Sequence, residues 1–258
     1  MNKIVEIPNM EAVKKAKTLR DLLKTDYVKQ RAEEVLGDNS QSFTLSVLSL
    51  ANDPNINQID PTSTFNACLT AAAINLPVDK NLGFAHIIPY KGKAQLQVGW
   101  KGYVQLALRS GDFKQIGANE VHEGDYKGLN PMTGEPEFSF SDNNANKPVI
   151  GYMAYFSLNN GFFKAMYMPI SKIKLHAMKY SQSYQRGGGV WAENFEAMAK
   201  KTVLKLLINK YAPMTPSLAR AVEIDQSADG KYVDNHKDFN EQGLKIEKRK
   251  IIMDKKEQ

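Results

Sequence analysis

Two aromatic-rich runs, PVIGYMAYFSL and FFKAMYM, flank Asn159-Asn160-Gly161 in the second half of the chain. Asn-Gly supplies the positive φ angles that a tight antiparallel reversal demands, and the flanking β-branched and aromatic residues suit strands. At least one β-hairpin is therefore built in, and an all-helical bundle is excluded. Helical periods surround it. Over residues 10–36 apolar residues recur at Val13, Ala16, Leu19, Leu23, Tyr27 and Val28, laced with lysines and arginines, which reads as one basic amphipathic helix after a loose leader. Shorter helices are expected over residues 42–51 and 63–75, the second capped by Thr62 or Ser63, with Asp53-Pro54 and Asp60-Pro61 marking turns. Residues 113–122 read as a strand, and residues 123–147 as a polar excursion holding loop and a short hairpin. A basic helix with Ser171 as its cap and a long helix over residues 191–211 complete the core. The expected fold class is α+β: N-terminal helices, a short antiparallel β-sheet with a hairpin, and a long basic helix packed against it.

Residues 83–111, GFAHIIPYKGKAQLQVGWKGYVQLALRSG, carry the densest chemistry. A tight turn at Tyr90-Lys91-Gly92-Lys93 leads into an alternating strand, with Ala94, Leu96 and Val98 set against Gln95 and Gln97. After Gly99 comes a short helix, which stops at Arg109-Ser110-Gly111. Lys91, Lys93, Trp100, Lys101, Tyr103 and Arg109 fall mostly on turns and element ends. Cations interleaved with aromatics are what a phosphate backbone and stacked bases require. The formal charge of +6 and pI near 9.1 favour a polyanionic partner. From Asp225 onward eight acids balance eight bases, so the excess belongs to residues 1–224.

The Pro-Tyr turn, the strand with paired glutamines, Gly-Trp-Lys-Gly-Tyr and the closing Arg-Ser-Gly together resemble the RecT family of phage single-strand annealing proteins. The resemblance extends in order and spacing over roughly residues 40 to 215. It implies an oligomeric protein, ring or helical filament, that binds single-stranded DNA and pairs complementary strands into duplex without ATP. It also implies two partners, a phage exonuclease and the host single-stranded-DNA-binding protein.

The residues themselves place the DNA groove between the unit around Lys91 to Lys101 and the long helix. On that helix Lys201, Lys205 and Asn209 line one face at i+4 steps, and Lys200 falls inside the apolar arc, as a residue bordering a groove or a subunit contact would. Arg109, Lys172, Lys174 and Arg186 are expected as flanking phosphate contacts, and Trp100, Tyr103, Tyr180 and Tyr184 as stacking candidates. Tyr180 and Tyr184 lie in a polar, glycine-flanked segment with little core to join.

No catalytic residue, metal ligand or cofactor is expected. The chain lacks G-x-x-x-x-G-K-[ST], G-x-G-x-x-G, H-E-x-x-H and G-x-S-x-G, and its one cysteine, Cys68, sits in an apolar run. A magnesium-dependent nuclease is the enzymatic rival, built on Asp112, Glu120, Glu123 and Asp125. A self-assembling structural protein is the third reading. With no signal peptide and no run of about eighteen apolar residues, a cytoplasmic protein without membrane contact is expected. The domain reading is a helical arm over residues 1–40 for subunit contact, an annealing core over 41–224, and a polar segment over 225–258 that docks partners.

Overall fold

The single helical period of residues 10–36 folds as three helices in the structure, a computed structural model that describes residues 10–228: α1 (Met10–Lys15), α2 (Leu19–Leu23) and α3 (Asp26–Leu36). Two threonines break it. Thr18 is extended and accepts the Asp21 N–H at 3.1 Å, and Thr25 is extended ahead of α3. Hydroxyl residues compete with the helix backbone in this way and favour caps. The apolar phase survives the breaks, because Leu19, Leu22, Val28 and Ala32 are all buried.

Helices α4 (Ser40–Leu50) and α5 (Pro61–Ala73) follow. The cap of α5 is Asp60, not Thr62 or Ser63: its carboxylate accepts the Ser63 N–H at 2.7 Å, with Pro61 in the first turn. Phe65 of α5 makes edge contacts with Tyr27 and Phe43, so α3, α4 and α5 share one core. The helical part of the expected N-terminal arm is thus packed against α5.

Strands β1 (Ala85–Tyr90) and β2 (Lys93–Val98) form a hairpin closed by Lys91 and Gly92 at φ 50° and 77°. That is the two-residue reversal whose twist matches its strands. Helix α6 (Trp100–Arg109) leads into a three-stranded antiparallel sheet of β3 (Phe113–His122), β6 (Val149–Leu158) and β7 (Phe163–Pro169), with β6 in the middle. The turn at Asn160-Gly161 joins β6 to β7 as the sequence predicts. The polar excursion holds a small hairpin of β4 (Tyr126–Leu129) and β5 (Pro136–Phe138).

Helix α7 (Ile170–Tyr180) starts after Pro169 with no side-chain cap, so Ser171 lies inside it. Beyond α8 (Gln182–Gln185), the long helix divides into α9 (Val190–Glu193) and α10 (Phe195–Tyr211). Asn194 causes the division, since its side chain accepts the Ala197 N–H at 3.1 Å as a fresh cap. α10 packs on the sheet and on α6. Last comes α11 (Pro216–Ala228), laid against β2 and α6. The boundary expected after residue 224 falls inside this helix. The rest of the C-terminal segment lies outside the described residues. The architecture is α+β.

Candidate nucleic-acid interface

Gly99 and Gly102 decide how the interface is assembled. A Cβ at Gly99 would lie 2.2 Å from the Gly83 carbonyl oxygen, and one at Gly102 would lie 2.2 Å from that of Phe84. The Gly99 N–H donates to the Phe84 oxygen at 2.9 Å. Glycines three apart therefore let the chain entering β1 cross the first turn of α6 in backbone contact. The crossing aims α6 at α10 and α11. Trp100 comes to lie with the Lys200 ammonium 5.8 Å from its ring centre, and Tyr103 points its hydroxyl at α11.

The centre of the arrangement is Asp225, which sequence reasoning missed. Its carboxylate, 2% exposed, accepts from the Tyr103 hydroxyl at 2.8 Å and the Val98 N–H at 3.2 Å. Lys201 Nζ lies 2.9 Å from Oδ2 and 3.0 Å from Oδ1, and Lys205 Nζ lies 3.9 Å from Oδ2. One carboxylate thus joins β2, α6, α10 and α11. A signal for it exists in the sequence: Leu218, Ala221, Val222 and Asp225 follow i, i+3, i+4, i+7, so an acid occupies the apolar stripe of α11.

Beside this hub is a cavity of about 80 Å³ lined by Gln97, Tyr180, Trp191, Lys201, Lys205 and Asn209, among others. Three buried polar atoms on its wall, His176 Nδ1 and both amide atoms of Asn209, have no hydrogen-bond partner among the described residues. Orphaned buried groups are rare and call for an explanation. Here they belong to residues that line the cavity with two lysines and an aromatic ring.

The expected site residues divide. Tyr180, Lys201 and Lys205 line the cavity, whereas Trp100 and Lys200 meet each other between α6 and α10 and are not part of its lining. Lys200 is held by Glu196 and by Glu120, 3.5 Å away, and its hydrogen bond keeps the Glu196 carboxyl below the usual range. The position of Lys200 in the apolar arc is explained by this pairing between α10 and β3. Lys101 is exposed on the first turn of α6. Lys91 and Lys93 are exposed at the far end of β2, roughly 17 Å from Val98 at a strand's rise per residue. Arg109, at the other end of α6, donates to the Asn75 carbonyl. Lys172 and Lys174 are exposed on α7, and Arg186 is exposed after α8.

One aromatic, Tyr103, lies elsewhere than a stacking surface. Tyr103 is fully buried, so its ring offers no exposed face and its hydroxyl serves Asp225. Tyr184 packs its ring on Trp191 at 5.7 Å, because the glycine-flanked segment folds back onto α9. Two carboxylates of the nuclease reading, Asp125 and Glu120, are tied into the fold separately, and Asp112 and Glu123 are exposed. Asp125 is 3% exposed and accepts from the Asn144 amide and the His122 N–H, whereas Glu120 faces Lys200. Among the described residues no three His, Cys, Asp or Glu side chains are grouped to hold a metal ion, and no helix is long and apolar enough to cross a membrane.

Burial, with Lys205 and Lys179 nearby, pushes His176 down to about 4 from an ordinary 6.5. Burial also lowers His86, helped by Lys201 and Lys80. In the window between these values the unfolded chain binds protons that the folded chain refuses, so stability falls as pH drops. The urea midpoint should hold above pH 7 and decline toward pH 5, and His176→Gln should flatten that decline. An equally steep decline in the variant would show that His176 is not held neutral.

Comparison with known proteins gives concordant results. Residues 41–240 match the model of the RecT family. An uncharacterized protein of Bacillus subtilis (strain 168), YqaK, is 40% identical over 235 residues, which cover 90% of this chain and 81% of YqaK. Protein RecT of Escherichia coli (strain K12) is 29% identical over 181 residues, which cover 67% of this chain and 66% of that protein.

Proposed function

The chain belongs to the RecT family, and with it to the single-strand annealing proteins of DNA recombination; on that premise we propose that it binds single-stranded DNA, holds it extended and pairs complementary strands without ATP. Two polyanions repel each other, and single strands fold on themselves. A cationic surface relieves the first by displacing counterions, and holding the backbone extended relieves the second. The bases stay free, so that Watson–Crick pairing and not the protein reads the sequence.

The observation that carries this reading is the meeting of Lys201, Lys205, Tyr180 and the orphaned Asn209 amide on one cavity beside Trp100 and Lys200. Lys201 and Lys205 take phosphates there, and Tyr180 and Trp100 offer the stacking faces. Lys101 extends the surface, and Lys91 and Lys93 meet the same strand at the far end of β2. Lys172, Lys174 and Arg186 flank it, and Arg109 marks its outer limit.

One subunit covers only a few nucleotides, so the active species is a ring or helical filament working in the cytoplasm on phage recombination. Its strands come from a phage exonuclease, and the host single-stranded-DNA-binding protein is a further partner. Annealing of two complementary oligonucleotides should proceed in EDTA without nucleotide. Strict dependence on magnesium, with strand cleavage, would instead establish the nuclease. Light scattering that rises equally with and without oligonucleotide would favour a self-assembling structural protein.

A further inference from the structure

The carboxylate of Asp225 has more partners than docking α11 requires. Leu218, Ala221 and Val222 already bury the apolar stripe of that helix, and an apolar residue at the next position would continue it at no cost in desolvation. In its place stands a charge, 2% exposed, anchored on two fixed donors, the Val98 N–H and the buried Tyr103 hydroxyl. The mobile groups it holds are the ammonium ends of Lys201 and Lys205.

Resting on the proposed DNA-binding role of those lysines, we infer that Asp225 is the positioning residue of the interface: it fixes the Lys201 and Lys205 ammonium groups side by side at the cavity mouth, where a phosphate is received. A lysine side chain carries a large rotamer entropy, and losing it on binding weakens the complex. Lys201 and Lys205 are only 12% and 18% exposed in their side chains, so that ordering is already done in the folded protein. Two ammonium groups next to one carboxylate oxygen would repel each other without it. Nor does the carboxylate use them up. An ammonium has three N–H donors, and the Lys201 contacts to Oδ1 and Oδ2 leave one for a phosphate oxygen, whereas Lys205, 3.9 Å from Oδ2, is held by charge and not by a hydrogen bond to Asp225.

The test is a mutant cycle read by anisotropy of a labelled oligothymidylate. Asp225→Asn should weaken binding about tenfold when both lysines are present. It should add nothing in a protein that already carries Lys201→Gln and Lys205→Gln. Tyr103→Phe keeps the ring in the core and removes one anchor of the carboxylate. It should weaken binding about threefold, again only while the lysines remain, and it serves if Asp225→Asn does not fold. Equal losses in both backgrounds would make Asp225 a purely structural residue and overturn the inference. So would a gain in affinity, which would mean that the carboxylate competes with DNA for the lysines. If the Lys201→Gln, Lys205→Gln protein itself binds as tightly as wild type, the DNA-binding role of the cavity fails first, and the inference falls with it.

Discussion

A protein carrying Lys201→Gln and Lys205→Gln together is expected to bind single-stranded DNA on the order of tenfold to a hundredfold more weakly than the wild type at physiological salt. The salt dependence should change with it. Each phosphate neutralised on a single strand contributes about 0.7 to the slope of log affinity against log salt, so losing two contacts lowers the slope by roughly 1.4. Glutamine suits the test because it still offers an amide N–H to Asp225 and spares that buried carboxylate a complete loss of donors. The distance between the two sets of cations sharpens the result. Lys91 and Lys93 lie at the opposite end of β2 from Val98 and Asp225. If they contact the same strand, Lys91→Gln and Lys93→Gln should add their losses nearly independently, as separated sites do. Unchanged affinity and slope in the Lys201→Gln, Lys205→Gln protein would remove α10 from the DNA surface.

The parts of this interface that were legible in the sequence are those whose chemistry is local. Asn160-Gly161 and Lys91-Gly92 each close a reversal, and the alternation of Leu96 and Val98 with Gln95 and Gln97 places Gln97 correctly, facing the cavity. The lysine face of α10 could be read from a wheel of one helix. Asp225 could not be read that way, because its partners Val98 and Tyr103 stand 127 and 122 residues away and only the docking of α11 brings them together. Tyr103 shows the converse error. An aromatic among cations reads as a stacking surface, yet the step from Trp100 to Tyr103 turns the second ring into the core. Tyr184 meets Trp191 edge-on, a contact that its polar, glycine-rich neighbourhood does not announce. Helix breaks at Thr18 and Asn194 were hidden because the apolar period runs on through them while the capping side chain decides the backbone, and at Thr25 the hydroxyl instead donates back to the Leu22 carbonyl.

The Gly-Trp-Lys-Gly segment carries the heaviest structural consequence, and Gly102→Ala isolates it. In an ordinary helix this change is favourable by about 1 kcal/mol, since alanine is the better helix former. Here the added Cβ would sit 2.2 Å from the Phe84 carbonyl oxygen, with the Val98 side chain 3.0 Å away. No side-chain rotation relieves a clash with backbone. Either α6 or the chain entering β1 must move, and forced overpacking of this kind costs about 1–3 kcal/mol or more. We expect a net loss of about 2 kcal/mol and, for a domain of this size, a Tm lower by roughly 4–8 °C. Gly188→Ala is the control, because nothing lies within 4 Å of its Cβ position. Function should suffer beyond the stability loss. At a temperature where the variant is fully folded, a displaced α6 carries Trp100 away from Lys200 and the Tyr103 hydroxyl away from Asp225. Oligonucleotide affinity should therefore fall even where circular dichroism shows no unfolding. A Gly102→Ala protein with wild-type Tm would mean that β1 and α6 do not cross in backbone contact, and the interface would lose the joint that aims it.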